Sequence, residues 1–85
     1  MNTHHDIEVK GLPGADAPIA DFIFPDADFR SCALAWARAV AADVKEYSDD
    51  IAMRAGKILL ANSPSERQLG EWMATHFARG SHALV

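Results

Sequence analysis

From residue 26 onwards, apolar residues recur every three or four positions, and this spacing constrains the fold more than any other feature of the 85-residue chain. Side chains at this spacing return to the same face of an α-helix, so the pattern is typical of helices that bury one face. Three such segments follow one another, with cap or turn residues between them. The sequence therefore predicts a mainly α domain with a three-helix bundle.

The first predicted helix covers about residues 27–46. Asp26 or Asp28 can cap its first turn, where a carboxylate accepts hydrogen bonds from unpaired backbone N–H groups. Cys32 is expected on the inner side, next to Trp36, as an ordinary buried cysteine. The apolar stripe of this helix consists of Phe29, Ala33, Trp36, Val40, Val44 and Tyr47.

The second predicted helix covers about residues 49–61, with Ser48 as its N-cap. It carries two apolar stripes, and a helix that is apolar on most of its surface is buried on most of it. Gly56 costs about 1 kcal/mol relative to alanine inside a helix, so close contact with another helix would explain its presence. We expect this helix either to be the central one or to support a homodimer. One stripe consists of Ile51, Ala55, Ile58 and Asn62. The other, which would form the self-association surface, consists of Met53, Gly56 and Leu60.

The stretch Ser63-Pro64-Ser65-Glu66 predicts the start of a third helix that reaches about Arg79. Ser63 stands at the N-cap, Pro64 at the first helical position and Glu66 three residues after the cap, which is the pattern of a capping box. Gly80 is the natural stop. The apolar arc contains Leu69, Trp72, Met73, His76 and Phe77, and we expect packing through Leu69, Met73 and Phe77.

Residues before the helices lack the helical period and predict an extended arm or a short β-hairpin. Residues 6–10 alternate polar and apolar side chains, as a half-buried strand does, and residues 19–24 form a second apolar segment that ends at Pro25. Residues 11–18 consist of turn-forming types. The length predicts a single small domain. Its parts are an arm or hairpin at 1–25, a helical core at 26–80 and a loose tail at 81–85.

Composition excludes several classes of protein. With 49% hydrophobic and 24% charged residues the chain is globular. The single Cys32 excludes an internal disulfide, fits a reducing cytoplasm and offers no zinc-binding spacing. No apolar run approaches the ~20 residues that cross a bilayer.

No further residue in the sequence completes a catalytic set with His76 or Cys32, and His76 is expected at the edge of the core. We predict a cytoplasmic protein that is not an enzyme and needs no cofactor, metal or membrane.

Charge is spread unevenly along the chain. Residues 1–50 carry ten acids and four bases, whereas residues 51–85 carry four bases and two acids, and the total is −4. An acidic half beside a mildly basic half suggests a charged partner, here a protein with a basic surface, and the alternative is a solvated surface whose asymmetry arose by chance. The expected partner-binding residues are Asp21, Asp26, Asp28, Asp43, Glu46, Asp49 and Asp50.

The sequence thus favours a non-enzymatic protein–protein interaction module. One version is a small acidic inhibitor that occupies the nucleic-acid-binding surface of its partner, as phage-type counter-defence proteins do. A second hypothesis is a small helix-turn-helix-like regulator that reads DNA through Arg67 and Gln68. DNA binding is disfavoured, because there is no basic run and because Glu66 and Glu71 would meet phosphates. A third hypothesis is an accessory subunit of a larger complex, which needs the same kind of surface as the inhibitor.

Overall fold

A computed structural model describes residues 11–78. These residues form three α-helices and three short 3-10 helices, with no strand among them, so the mainly α class is confirmed. Residues 6–10 and the tail at 81–85 lie outside the described residues. The α-helices are α1 (Ala27–Ala42), α2 (Asp49–Asn62) and α3 (Arg67–Ala78), and the 3-10 helices are Ile19–Phe22, Val44–Glu46 and Pro64–Glu66.

The central element is α2, against which both α1 and α3 pack, while α1 and α3 hardly touch each other. Its Ala55 and Ile58 are fully buried, and its Leu59 joins the same core. This arrangement agrees with the expectation that a helix with two apolar stripes is covered on two sides. The buried core consists of Phe22, Phe24, Ala33, Trp36, Ala37, Val40, Ala55, Ile58, Leu59 and Met73.

The cap of α1 is confirmed, but the predicted end and one predicted orientation are wrong. Asp26 Oδ1 accepts hydrogen bonds from the backbone N–H groups of Asp28 and Phe29 at 2.8 and 3.1 Å. The helix ends at Ala42, and the chain tightens into the 3-10 helix Val44–Glu46. Cys32 is exposed, because the buried face of α1 is centred about 90° around the helix from it.

The segment before α1 differs from the predicted strand. Residues 19–22 form a 3-10 helix, in which the backbone N–H of Asp21 donates to the carbonyl of Pro18 at 2.9 Å. The chain then extends, with Phe22 and Phe24 buried and Ile23 exposed between them. The predicted extended conformation of residues 19–24 is therefore wrong for its first four residues, although the apolar side chains do reach the core.

Two polar side chains of α2 hold this segment in place. Lys57 Nζ donates to the carbonyls of Ala15 and Ala17 at 2.5 and 2.8 Å. Asn62 Nδ2 donates to the carbonyl of Phe22 at 2.6 Å, and its Oδ1 accepts from the N–H of Phe24 at 3.2 Å. These contacts satisfy backbone groups that have no helix or sheet partner, which is how an irregular segment can be partly buried.

The helices α2 and α3 form an antiparallel hairpin with very close backbones. Leu60 lies opposite Gly70, and Gly56 lies opposite Ala74, so the order of the contacts reverses along the two helices. A methyl group on Gly56 would lie 2.6 Å from the backbone nitrogen of Ala74. The close contact with another helix that Gly56 suggested is therefore made within the chain, with α3.

The third helix begins differently from the predicted capping box. The turn at Pro64–Glu66 is a 3-10 helix, and the Ser63 side chain accepts no hydrogen bond from a backbone N–H. Instead Ser63 Oγ donates to Glu66 Oε1 at 2.7 Å, and the backbone N–H of Glu66 donates to the carbonyl of Ser63 at 3.0 Å. The reason is that the Glu66 carboxylate is drawn outwards to Arg38 of α1, whose Nε donates to it at 2.9 and 3.2 Å.

Candidate functional site

One side of α3 carries the largest exposed apolar side chains of any helix in residues 11–78. Leu69 is 42% exposed and Trp72 is 49% exposed. With the half-buried His76 they stand at steps of three and four along α3, so all three share one side of the helix. We call Leu69, Trp72 and His76 the Trp72 stripe. The prediction that Leu69 packs inwards is wrong, whereas Met73 is fully buried and Phe77 packs partly buried against the core.

The inner face of α3 is formed by small residues, and this explains the orientation of the Trp72 stripe. Gly70 and Ala74 are buried against α2, together with Met73. A bulky face could not approach α2 so closely, because the space between the two backbones is smaller than one methyl group at Gly56 and Gly70. The helix therefore turns its glycine and alanine inwards and leaves Trp72 at the surface.

The Trp72 side chain is held in place by aromatic neighbours. The His76 ring stacks on the Trp72 ring, with 4.8 Å between ring centroids and 11° between planes. Phe77 meets Trp72 edge-on at 5.7 Å and 84°, and it meets His76 at 4.9 Å and 88°. Because Phe77 also packs on the core, it connects the exposed ring to the interior. An aromatic ring that is already ordered loses little conformational entropy when a partner covers it.

The acidic residues predicted to bind a partner fall into two groups. Asp21, Asp26 and Asp28 lie at or before the start of α1, and Asp43 to Asp50 follow its end, so a helix about 24 Å long separates the groups. Six of the seven are exposed, and Asp49 is half-buried. Asp26 caps α1, and Asp50 pairs with Arg54 at 3.0 Å. The structure does not bring the seven residues into one continuous face.

Most bases in the described part of the chain are engaged within the molecule. Arg30 donates to the carbonyl of Phe24 at 2.8 Å, and Lys57 binds two carbonyls of the segment before α1. Arg38 and Glu66 form an ion pair at 2.8 Å. The hydrogen bond from Arg38, and then the one from Ser63, lower the pKa of Glu66. Four of the six Lys and Arg side chains in residues 11–78 are thus held in contacts within the chain, two with carboxylates and two with neutral carbonyls.

The residues predicted for self-association do not all remain accessible. Gly56 is buried against α3, while Met53 and Leu60 are half-buried. Leu60 lines an open cleft of about 440 Å³ next to Arg67, at the turn between α2 and α3. Self-association through Met53 and Leu60 stays a prediction, and Gly56 can contribute only by bringing α3 close.

The residues of the DNA-binding hypothesis are exposed, but they do not form a basic reading face. Arg67 and Gln68 open α3, and Glu71 and Trp72 follow on its exposed part. The contact between α2 and α3 extends about one helical turn along each helix, from Leu60 and Gly70 to Gly56 and Ala74. In a helix-turn-helix unit the second helix presents polar and basic side chains to the groove. Here its exposed surface mixes one arginine with a glutamate and a tryptophan.

No candidate metal site emerges between residues 11 and 78. Groups of three His, Cys, Asp or Glu side chains that could hold a metal ion are absent there. Over the same range, no helix combines the length and the apolar character needed to cross a membrane. Comparison with protein-family models, curated proteins and solved structures found no match for this chain.

Proposed function

We propose that this protein is a non-enzymatic protein-binding module whose main contact surface is the Trp72 stripe. The observation that carries the proposal is that Trp72 is half exposed and yet ordered by stacking on His76 and Phe77. Tryptophan is among the residues that dominate binding energy at protein interfaces when a partner buries it. Single exposed apolar residues are ordinary, but Leu69 and Trp72 adjoin each other on one side of one helix.

The proposed partner is a protein with a basic surface around an apolar pocket. The chain carries a net charge of −4, and most bases among the described residues are already bound to carbonyls or carboxylates. Exposed acids such as Asp28 and Asp43 at the two ends of α1 attract such a surface and accelerate association. An inhibitor that covers a nucleic-acid-binding surface and an accessory subunit that recruits a basic protein both fit this chemistry.

The direct experiment compares partner capture by three variants. Trp72→Ala and Leu69→Ala each remove one side chain of the Trp72 stripe. Ile23→Ala is the matched control, because Ile23 is a 57% exposed apolar residue outside α3. The tagged wild-type protein is used to capture partners from its native host, and each retained protein is then purified and its Kd measured for all variants.

The expected result is a partner whose affinity falls about 30-fold or more with Trp72→Ala, the loss typical of a central interface residue. Ile23→Ala should change the Kd less than about threefold. Circular dichroism checks that each variant is folded. If every captured protein binds Trp72→Ala as tightly as the wild type, the Trp72 stripe is not the contact surface.

The acidic groups are tested separately, one end of α1 at a time. Asn replaces Asp21, Asp26 and Asp28 in one variant, and Asn at position 26 preserves the helix cap. A second variant neutralises Asp43, Glu46 and Asp49, and it leaves the Asp50 pair with Arg54 intact. We expect a slower association rate and a weaker dependence on salt for the group that faces the partner. An unchanged rate and salt dependence in both variants would exclude electrostatic docking.

A further inference from the structure

We propose that a second copy of this chain binds the side of the α2–α3 hairpin that lies away from the Trp72 stripe, and that the two copies form a two-fold dimer. We call Met53, Leu60, Arg67 and Glu71 the Leu60 flank. This surface goes beyond the proposed function, because it lies on the other side of α3 from Trp72. The two proposals can therefore fail independently.

The apolar part of the Leu60 flank is only partly covered within the chain. Leu60 is half-buried and forms one wall of the 440 Å³ cleft, whose other apolar walls include Ile19 and Pro64. Met53 stands seven residues before Leu60, which is two helical turns, so it continues the same side of α2. The apolar surface thus runs from the cleft along α2 beside α3.

The charges on this flank indicate which partner it fits. Arg67 lines the cleft together with Leu60, and Glu71 follows one turn later on the same side of α3. Both side chains are exposed, and within residues 11–78 neither forms an ion pair. A two-fold axis places the same patch on both copies in reverse order. Arg67 of each copy can then meet Glu71 of the other.

This pairing is specific to a second copy. When a surface with one base and one acid, one helical turn apart, meets a reversed copy of itself, each base faces an acid. The two copies can then form two ion pairs. The Trp72 stripe has no such arrangement, because its only ionisable member is His76. The net charge of −4 makes two copies repel at long range, and about 0.15 M salt, with a Debye length of about 8 Å, screens that repulsion more than the close pairs.

The test is the mass in solution, measured by light scattering over a concentration series at about 0.15 M salt. The wild type should become a dimer as concentration rises. Arg67→Glu and Glu71→Arg should each raise the dimer Kd at least about tenfold, because each places like charges opposite each other. An equimolar mixture of these two variants should restore the dimer, since two acids of one copy then face two bases of the other.

The double variant Arg67→Glu/Glu71→Arg gives a second form of rescue, because exchanging both charges preserves the complementarity. Its dimer Kd should return to within about threefold of the wild-type value. Trp72→Ala is the control and should leave the dimer unchanged. Circular dichroism establishes that every variant is folded.

Three results would overturn the proposal. A wild type that stays monomeric at every concentration excludes the dimer. A dimer that resists both single charge reversals uses another surface. Single reversals that dissociate the dimer without rescue by the mixture or by the double variant show that Arg67 and Glu71 do not meet across a two-fold axis.

Discussion

Gly56 of α2 and Gly70 of α3 face each other so closely that neither position has room for a methyl group. A Cβ on Gly70 would lie 2.7 Å from the carbonyl oxygen of Gly56, and a Cβ on Gly56 would lie 2.8 Å from the carbonyl oxygen of Gly70. Real Cβ atoms essentially never come within 3.0 Å of such neighbours. The reciprocal contact fixes the rotation of α3, and it is the reason that Trp72 faces outwards.

Gly56→Ala and Gly70→Ala should therefore each destabilise the fold. Overpacking costs about 1–3 kcal/mol and should fall at the upper end here, because the crowded atoms belong to the backbone and cannot change rotamer. Alanine is favoured over glycine inside a helix, which offsets about 1 kcal/mol of this cost. We expect a net loss of about 2 kcal/mol in the free energy of unfolding, measured with urea. Gly14→Ala is the control and should change it by less than about 0.5 kcal/mol, since nothing lies within 4 Å of a Cβ there.

Asn62 offers a second test, because its amide joins α2 to the segment before α1. Asn62→Ala should lower the free energy of unfolding by about 2 kcal/mol, since it leaves the Phe22 carbonyl and the Phe24 N–H without partners. Asn62→Asp should cost more at neutral pH. The reason is that a carboxylate oxygen would replace the nitrogen that donates to the carbonyls of Phe22 and Ile58. A fully stable Asp variant would mean that this amide does not hold the segment.

The ion pair between Arg38 and Glu66 predicts a dependence of stability on pH. The folded state lowers the pKa of Glu66, chiefly through the hydrogen bond from Arg38. Such a carboxylate stabilises the fold above its unfolded pKa of about 4.3, and the contribution disappears as pH falls through the lower folded pKa. Wild type should therefore be more stable than Glu66→Gln at pH 7, and the difference should shrink below about pH 4. A difference that is the same at pH 7 and pH 3 would contradict this account.

Cys32 tests the rotation of α1. Because its side chain faces solvent, the native protein should react with a thiol reagent such as Ellman's reagent at a rate close to that of the denatured chain. Cys32→Ser should change the free energy of unfolding by less than about 0.5 kcal/mol. A thiol that reacts only after unfolding would place Cys32 in the interior and would require a rotated α1.

The helices and two of their starts could be predicted from the sequence because those signals are local. Asp26 and Ser48 cap the helices that follow them through residues two or three positions away. The start of α3 also has the residues of a capping box, but there a distant residue decides the geometry. Arg38 is 28 positions away from Glu66, and it binds the carboxylate that in a capping box would accept from the backbone N–H of Ser63. Here the Ser63 backbone N–H donates to the carbonyl of Leu59 instead.

The orientation of α3 could not be predicted by looking for large apolar side chains. The close contact with α2 is formed by Gly70 and Ala74, which fit there because their side chains are small. A search for a stripe of large hydrophobic residues selects Leu69 and Trp72 instead. The contacts of Lys57 and Asn62 with the segment before α1 are non-local and have no sequence signal. The candidate surface was thus present in the sequence as large aromatic residues, but its exposure became visible only with the packing of the hairpin.

The measurement that tests the central claim most directly is the solvent access of each tryptophan in the free protein. Trp36→Phe leaves Trp72 as the single tryptophan, and Trp72→Phe leaves Trp36, which is only 5% exposed. Acrylamide quenching compares the two variants at low concentration. We expect Trp72 to be quenched several-fold more strongly than Trp36. Equal protection of the two rings would mean that the Trp72 stripe is already covered in the free protein, which contradicts its proposed role as an open contact surface.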